Sequence, residues 1–151
     1  MIDGIDRSIL RHLQEDGRIT ATALASKVGL TVAPCHRRLR DLEQSGVIRG
    51  YRADIDPAAV GLGFEAIVFV TLRQADKATM AAFEEKVAAS TNIVEAQRLF
   101  GSPDYLLKVI AADLPAYQRF YDDELAALPA VERLNSTLVM KNLKTNTGPP
   151  V

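Results

Sequence analysis

The 151-residue chain has little of the chemistry that catalytic and metal sites use: one cysteine and two histidines. A single thiol, Cys35, excludes an intramolecular disulfide and a cysteine metal cluster. The two histidines, His12 and His36, both fall in the first third of the sequence. The sequence offers no convincing Ser-His-Asp or Cys-His combination for catalysis. We therefore expect no catalytic residue, no metal and no cofactor.

Long hydrophobic runs are also missing. A run such as AIVFV at 66–70 has the length of a strand and is far too short to span a bilayer. Asp3 and Asp6 stand where a signal peptide would carry positive charge before an apolar core. We therefore expect a cytoplasmic protein with no membrane partner, folded as one ordinary domain or two small ones.

Neither sign of charge dominates the whole chain, whose net charge is −1, but the charge is unevenly distributed. Residues 1–50 carry a net charge of +2 and residues 51–151 a net charge of −3. Five arginines fall within residues 28–52. A basic patch on a nearly neutral chain favours an anionic partner for that patch alone.

Residues 1–50 have the pattern of three short helices. Ile5, Ile9 and Leu13 recur every four residues, and a second helix over 21–28 follows Thr20 as its N-cap and stops at Gly29. A third helix follows Thr31 and contains Pro34 in its first turn, where a missing N–H costs no intrahelical bond. The Thr31 hydroxyl is expected to accept from the Ala33 N–H.

The third helix is basic on its outward side. At 100° per residue, the apolar face is formed by Cys35, Leu39 and Leu42, whereas Arg37 and Arg40 point away from it. His36 and Arg38 lie on the flanks, with Ala33 one turn ahead of the outward arginines. The following segment, VIRGYRADI, alternates as a pair of strands would, forming a small wing.

Three helices, a tight turn and a wing predict a winged helix-turn-helix domain over residues 1–50. Residues 51–63 complete the wing and form a hinge with one short helical turn. Residues 64–151 then follow the order β-α-β-β-α-β, which predicts a ferredoxin-like sandwich and an α+β fold overall. The expected strands are 64–73, 93–100, 105–113 and 131–143; the expected helices are 77–89 and 115–128.

The first strand of the predicted sandwich is apolar on both sides. Ala66, Val68 and Val70 alternate with Ile67 and Phe69. Both helices cover the same face of such a sheet, so the other face would expose apolar side chains. We therefore expect a homodimer that forms face to face or edge to edge through this domain.

Four segments resemble, in order, those of the leucine-responsive/AsnC (feast/famine) family of transcription regulators. They are IDRSILRHLQEDGRITATALASKVGLT, APCHRRLRDLEQSGVIRGYRADIDPAAVG, RLFGSPDYLLKV and LNSTLVMKNLK. The resemblance implies an amino-terminal DNA-binding domain and a carboxy-terminal effector domain. It also implies dimers that assemble into octamers or similar rings, and an effector that is an amino acid. Thr31, His36 and Pro103 depart from the family pattern.

The helix-turn-helix and its resemblance predict contacts with double-stranded DNA at an imperfect palindrome. Arg37 and Arg40 are the candidates for base contacts, and phosphate contacts are expected mainly from arginines on the flank, wing and hinge. The complete candidate set is Thr20, Thr31, Ala33, His36, Arg37, Arg38, Arg40, Arg49 and Arg52. Two alternatives stay open: Arg37 pairs with Asp41 on a solvated face, and His36 is merely exposed.

The turn in RLFGSPDYLLKV is the candidate effector site. Backbone N–H groups from Gly101 to Asp104 are expected to bind a carboxylate, and Asp104 to bind an ammonium group. The candidate set is Phe100, Gly101, Ser102, Pro103, Asp104, Tyr105 and, by resemblance, Ser136 and Thr137 on the last strand. The alternative is an ordinary turn, since Gly, Ser, Pro and Asp are common turn residues.

Two other functions remain open on sequence alone. One is a DNA-wrapping architectural protein without an effector. The other is an enzyme like the sirohaem decarboxylases, which share the two-domain outline. The absence of histidine from residues 51–151 counts against the enzyme.

Overall fold

The computed structural model describes residues 1–151, which form two compact units. The first contains residues 1–54 together with residues 144–151, and the second contains residues 55–143. The sequence pattern assigns 144–151 to the second domain, but in the structure this segment packs with the first unit. The helices are too short or too polar to cross a lipid bilayer.

The first unit contains three helices: α1 (Gly4–Glu15), α2 (Ala21–Val28) and α3 (Val32–Gln44). Asp3 and Asp6 form a capping box at the start of α1. Thr20 caps α2 by accepting from the Ala23 N–H at 3.1 Å, as predicted. Gly29 ends α2 in the left-handed conformation, which glycine adopts without steric cost. The helices bury one small core: Ile9, Leu10, Leu24, Ala25, Cys35 and Leu42.

The start of α3 confirms one prediction and contradicts another. Pro34 lies in the first turn, and Thr31 has the extended backbone of an N-cap. The predicted bond from the Ala33 N–H to the Thr31 hydroxyl is wrong, because the Thr31 side chain makes no capping hydrogen bond. Thr31 and Ala33 are both exposed, so water can satisfy the first-turn N–H groups instead.

The predicted strand pair of the wing is also wrong, because residues 47–57 contain no strand. This segment is tied back to α3. The Ile48 N–H donates to the Leu42 carbonyl at 3.0 Å, and the Tyr51 hydroxyl donates to Glu43 Oε1 at 2.9 Å. An isolated two-stranded ribbon is only marginally stable in water. The two bonds to α3 therefore hold this segment in an irregular conformation, and we call it the irregular wing.

The second unit begins with a single 3₁₀ turn (Ala58–Val60) and continues as a ferredoxin-like sandwich. Its four antiparallel strands lie in the order β2-β3-β1-β4. The strands are β1 (Phe64–Leu72), β2 (Ile93–Arg98), β3 (Tyr105–Ala111) and β4 (Val131–Leu138). The helices are α4 (Lys77–Ala89) and α5 (Leu114–Phe120), the latter continued by a π-helical turn (Tyr121–Leu125).

The strands are shorter than predicted, most of all β4, which ends at Leu138 and not at residue 143. A strand can extend only while a neighbour supplies ladder bonds. The partner of β4 is β1, and the last bond between them runs from the Val139 N–H to the Glu65 carbonyl. The prediction for α5 is also too long, because the helix widens into the π turn and finishes at Leu125.

The sheet has one buried face and one open face, as the alternation in β1 predicts. Ala66, Val68 and Val70 are fully buried, and Ile67 and Phe69 are only half-buried. The core between the sheet and the helices contains Ala66, Val68, Val70, Leu72, Phe83, Val87, Tyr105, Leu107, Val109, Ala111, Tyr117, Phe120 and Leu125.

Candidate nucleic-acid interface and effector site

The outward side of α3 presents unpaired positive charge. Arg37 and Arg40 are exposed, and neither forms an ion pair within the chain. The alternative pairing of Arg37 with Asp41 is not formed. Ala33 and His36 are exposed on the same helix. An unpaired guanidinium can donate two hydrogen bonds to the O6 and N7 atoms of guanine in the major groove.

Arg38, unlike the outward arginines, is paired within the chain. Its Nη1 donates to Asp3 Oδ2 and to Asp6 Oδ1, both at 2.8 Å. Asp3 and Asp6 are the capping-box residues of α1, and the Asp6 side chain is only 13% exposed. The guanidinium therefore joins α3 to the start of α1, and the contact of Arg38 with a phosphate stays a prediction.

The charges in this triad stabilise one another. The hydrogen bond from the Asp6 N–H and the bond from Arg38 lower the pKa of Asp3, and the two carboxylates raise the pKa of Arg38. Asp3 thus stays ionised down to a lower pH than a free aspartate. The triad joins the two helices through a flank of α3, and Arg37 and Arg40 are exposed on the outward side of the same helix.

The remaining predicted DNA contacts lie on the surface of the first unit. Arg49 and Arg52 are exposed in the irregular wing, and neither is paired with a carboxylate. Thr20 and Thr31 are exposed at the starts of α2 and α3. All four are placed where a phosphate could approach, and their contacts with DNA remain predictions.

Cys35 belongs to the core of the first unit. It is fully buried, and burial raises the pKa of its thiol. A buried thiol with a raised pKa is a poor nucleophile. Within the whole chain, no group of three or more His, Cys, Asp or Glu side chains could hold a metal ion.

The turn between β2 and β3 is clipped to the end of β1 by Asp104. The Asp104 N–H donates to the Val70 carbonyl at 2.9 Å, and Asp104 Oδ2 accepts from the Leu72 N–H at 2.7 Å. The predicted run of free N–H groups from Gly101 to Asp104 is therefore reduced. Proline has no N–H, the Asp104 N–H is occupied, and only Gly101 and Ser102 retain donors without a partner in the chain.

Three other predicted effector residues do not converge on one pocket. Tyr105 faces the helices: its ring packs on Phe83 at 4.4 Å between centroids, and its hydroxyl donates to Glu84. Ser136 also faces the helices and hydrogen-bonds the Tyr117 hydroxyl at 2.5 Å. Phe100 is fully exposed in the turn.

The open face of the sheet contains a cavity beside the turn. Its volume is about 340 Å³, and Ser102 and Pro103 from the predicted set contribute to its wall. The other lining residues come from β1 and β4: Phe69, Thr71, Arg133 and Asn135. They share the open face because Phe69 pairs with Asn135 and Thr71 pairs with Arg133 across the two strands. Thr137 lies further along the same face, opposite Ile67.

Sequence reasoning missed these four β1 and β4 residues. The period-two alternation of β1 already put Phe69 on the open face, but the register between β1 and β4 was needed to bring Arg133 and Asn135 beside it. Arg133 is exposed and pairs with no carboxylate in the chain. A free guanidinium beside hydroxyl and amide groups suits a small ligand that carries a carboxylate.

An exposed basic helix in one unit and a small cavity beside an unpaired arginine in a separate sandwich define a class: a DNA-binding regulator with a ligand-binding domain. Family models agree with each half. Residues 2–49 match the winged helix-turn-helix DNA-binding domain, and residues 65–149 match the Lrp/AsnC ligand-binding domain. The chain belongs to the Lrp/AsnC family of transcriptional regulators.

Individual relatives span nearly the whole chain. The leucine-responsive regulatory protein of Rhizobium meliloti is 40% identical over 95% of this chain and 92% of its own length. The Bkd operon transcriptional regulator of Pseudomonas aeruginosa is 35% identical over 99% and 98%. A transcriptional regulator of Neisseria meningitidis, solved as an L-Met complex, is 34% identical with a TM-score of 0.93, covering 99% of this chain and 97% of its own.

Proposed function

We propose that this protein is a sequence-specific transcriptional regulator whose assembly or DNA affinity responds to a small effector, an amino acid, and that it has no enzymatic activity. The observation that carries the proposal is the cavity on the open sheet face, where unpaired Arg133 lies beside Thr71, Ser102 and Asn135. The relative solved with L-Met supports this class of ligand.

The DNA-binding step rests on α3. A dimer presents two copies of this helix to half-sites about one helical turn apart, roughly 34–36 Å, so the target is an imperfect palindrome. Arg37 and Arg40 contact base edges, and Arg49 and Arg52 contact phosphates. The structural support is that all four are exposed and unpaired.

The effector step rests on complementary charge. The Arg133 guanidinium binds the α-carboxylate, with the Ser102 N–H as a second donor. The oxygens of Thr71 and Asn135 accept from the ammonium group, and the Phe69 ring packs on the side chain of the ligand. A cavity of about 340 Å³ lies at the small end of the usual size range for ligand pockets, which suits a metabolite of this size.

Assembly links the two steps. Around the cavity, the open face presents half-buried Ile67, Phe69, Leu106 and Ile110, with Lys108 held between Glu65 at 3.2 Å and Glu95 at 3.8 Å. We infer that two copies pack through this apolar face and that dimers assemble further, to octamers or similar rings. A ligand at an interface binds one assembly better than another, and this difference in affinity shifts DNA binding.

The test is fluorescence-anisotropy titration of DNA from upstream of the protein's own gene, at fixed salt, with each of the twenty amino acids in turn. We expect tight binding that one or a few amino acids shift. Tight binding that no amino acid alters would replace the proposal with a DNA-wrapping architectural role. Binding no stronger than to random DNA would refute it and direct attention to an enzyme, tested by tetrapyrrole titration.

A further inference from the structure

The last eight residues form an extended segment on the surface of the first unit. Residues 144–151 contain no helix or strand, yet they make three side-chain hydrogen bonds there. Asn146 Nδ2 donates to Asp54 Oδ1 at 2.7 Å, Gln14 Nε2 donates to the Pro149 carbonyl at 2.9 Å, and Arg11 Nη2 donates to the Val151 carbonyl at 3.3 Å. Two of these donors, Arg11 and Gln14, are on α1.

Apolar contact accompanies the hydrogen bonds. Val151 is half-buried and packs against the core cluster of the first unit. The partly buried side chains around that cluster include Ile5 and Leu13 of α1. The segment therefore covers apolar surface that α1 would otherwise expose, which is the usual origin of peptide docking on a helix.

The sequence of the segment suits this docked path. Asn146 has a φ of +53°, a region that asparagine tolerates better than other residues with a side chain. Gly148 lies close to the end of the Gln14 side chain, which would have to shift if the residue carried a Cβ. Pro149 and Pro150 favour an extended backbone in the free state as well, which reduces the entropy lost on docking.

The segment also gives the chain a second passage between the units. The first passage is at residues 54–55, and the second is at residues 143–144. On the sandwich side, Asn142 Nδ2 donates to Glu65 Oε2 at 3.0 Å, just beyond β4. On the other side, Asn146 donates to Asp54, the residue after which the chain first leaves the first unit. A hydrogen bond thus ties the second passage to the first.

We propose that α1 carries a docking site for the chain's own C-terminal segment, and that this segment acts as a strap between β4 and the DNA-binding helices. Strand β4 contributes Arg133 and Asn135 to the cavity, the strap ends on α1, and Arg38 joins α1 to α3. A shift of β4 on effector binding is relayed to α3 by this path. The relay, though not the docking, rests on the proposed function.

Limited trypsin digestion of the 151-residue protein tests the docking. Arg52 is exposed two residues before Asp54, so its cleavage reports whether the strap is in place. Deletion of residues 144–151, Val151→Asp and Asn146→Ala should each accelerate cleavage after Arg52, from a few-fold to about tenfold. The matched control is Thr147→Ala, because Thr147 is exposed and makes no side-chain hydrogen bond. Unchanged cleavage in all three variants, with intact melting transitions, would overturn the docking.

The relay is tested by the amino-acid response of the same variants in the anisotropy assay. We expect the deletion to retain DNA binding within a few-fold and to lose more than half of the effector-induced change in affinity. Faster cleavage with a full effector response would leave the docking standing and refute the relay. If no amino acid alters binding by the intact protein, the proposed function and the relay both fail, and the cleavage rates still decide the docking.

Discussion

The two units differ in the interactions that stabilise each of them internally. The sandwich buries thirteen core residues beneath a four-stranded sheet, whereas the helical unit buries six between three short helices. A smaller core leaves less hydrophobic stabilisation. The helical unit adds the triad of Arg38, Asp3 and Asp6, which joins its first helix to its third.

The arginines of the two units show the same division of roles. In each unit, one arginine is held by carboxylates of a neighbouring element: Arg38 by α1, and Arg98 by Glu84 of α4 at 2.6 Å. In each unit, other arginines are exposed and unpaired: Arg37 and Arg40 on α3, and Arg133 on β4. Whether an arginine supports the fold or binds a partner depends on the element packed beside it, which neighbouring sequence positions do not reveal.

The largest expected effect is the loss of stability when a core side chain of either unit is truncated, which compares the two cores directly. Phe83 is fully buried in the sandwich, and Phe83→Ala should cost about 3–5 kcal/mol through lost burial and the cavity left behind. Leu24→Ala, in the helical core, should cost about 2–5 kcal/mol. Urea unfolding followed by tyrosine fluorescence measures both, since the chain has four tyrosines and no tryptophan. If each substitution lowered the unfolding free energy of both units by the same amount, the result would contradict two separate cores.

The effector response should be lost when the free arginine of the sandwich is removed. Arg133→Ala is expected to weaken amino-acid binding at least tenfold, because a charge-assisted hydrogen bond to a carboxylate is worth about 1.5–3 kcal/mol. Calorimetric titration measures it. Arg119→Ala is the control, since Arg119 is exposed on α5 and away from the cavity. Unchanged affinity in Arg133→Ala would move the ligand elsewhere.

Loss of an unpaired arginine from α3 should affect DNA recognition without affecting stability. Arg40→Ala is expected to cost about 1–3 kcal/mol of binding and to relax specificity at one base position. Anisotropy with single-base variants of the site measures this. Equal weakening on every sequence would instead make Arg40 a phosphate contact.

The paired arginine of the same helix should behave in the opposite way. Arg38→Ala is expected to lower the melting temperature of the helical unit, because it leaves Asp3 and Asp6 without their shared cation. It should weaken DNA binding with no change in the salt dependence, since no phosphate contact is lost. Arg49→Ala is the comparison, expected to reduce the salt slope and leave melting unchanged. A reduced slope in Arg38→Ala would restore it as a phosphate contact.

Two threonines at matching positions provide the smallest contrast. Thr20 accepts a capping hydrogen bond and Thr31 accepts none. Thr20→Ala should therefore destabilise the helical unit by about 1 kcal/mol, and Thr31→Ala by less than about 0.5 kcal/mol. Thermal melts of the two variants measure the difference. Equal costs would show that Thr31 caps α3 in solution.

The sequence predicts much of this architecture because the local signals agree. Thr20 and Gly29 are the caps of α2, Pro34 lies in the first turn of α3, and the alternation in β1 separates the buried face from the open one. The failures depend on partners distant in sequence. The position at which β4 ends follows from where β1 begins, and the strand pair of the wing is lost to bonds with α3.

The candidate site shows the same limit more strongly. Composition identifies the turn at 100–105. It does not reveal that the Asp104 carboxylate accepts a hydrogen bond from β1 or that Tyr105 faces the helices. Arg133 and Asn135 lie about thirty residues further along the chain. Only the pairing of β4 with β1 brings them beside Ser102 and Pro103.

The packing of Val151 on the helical core has a practical consequence for building chimeric regulators. The family model for the DNA-binding half ends at residue 49, which favours joining residues 1–54 alone to a foreign sensor. Such a fusion would lack the eight residues that complete the surface of α1. A chimera should therefore include residues 144–151 together with residues 1–54, so that the transferred DNA-binding unit keeps both of its chain segments.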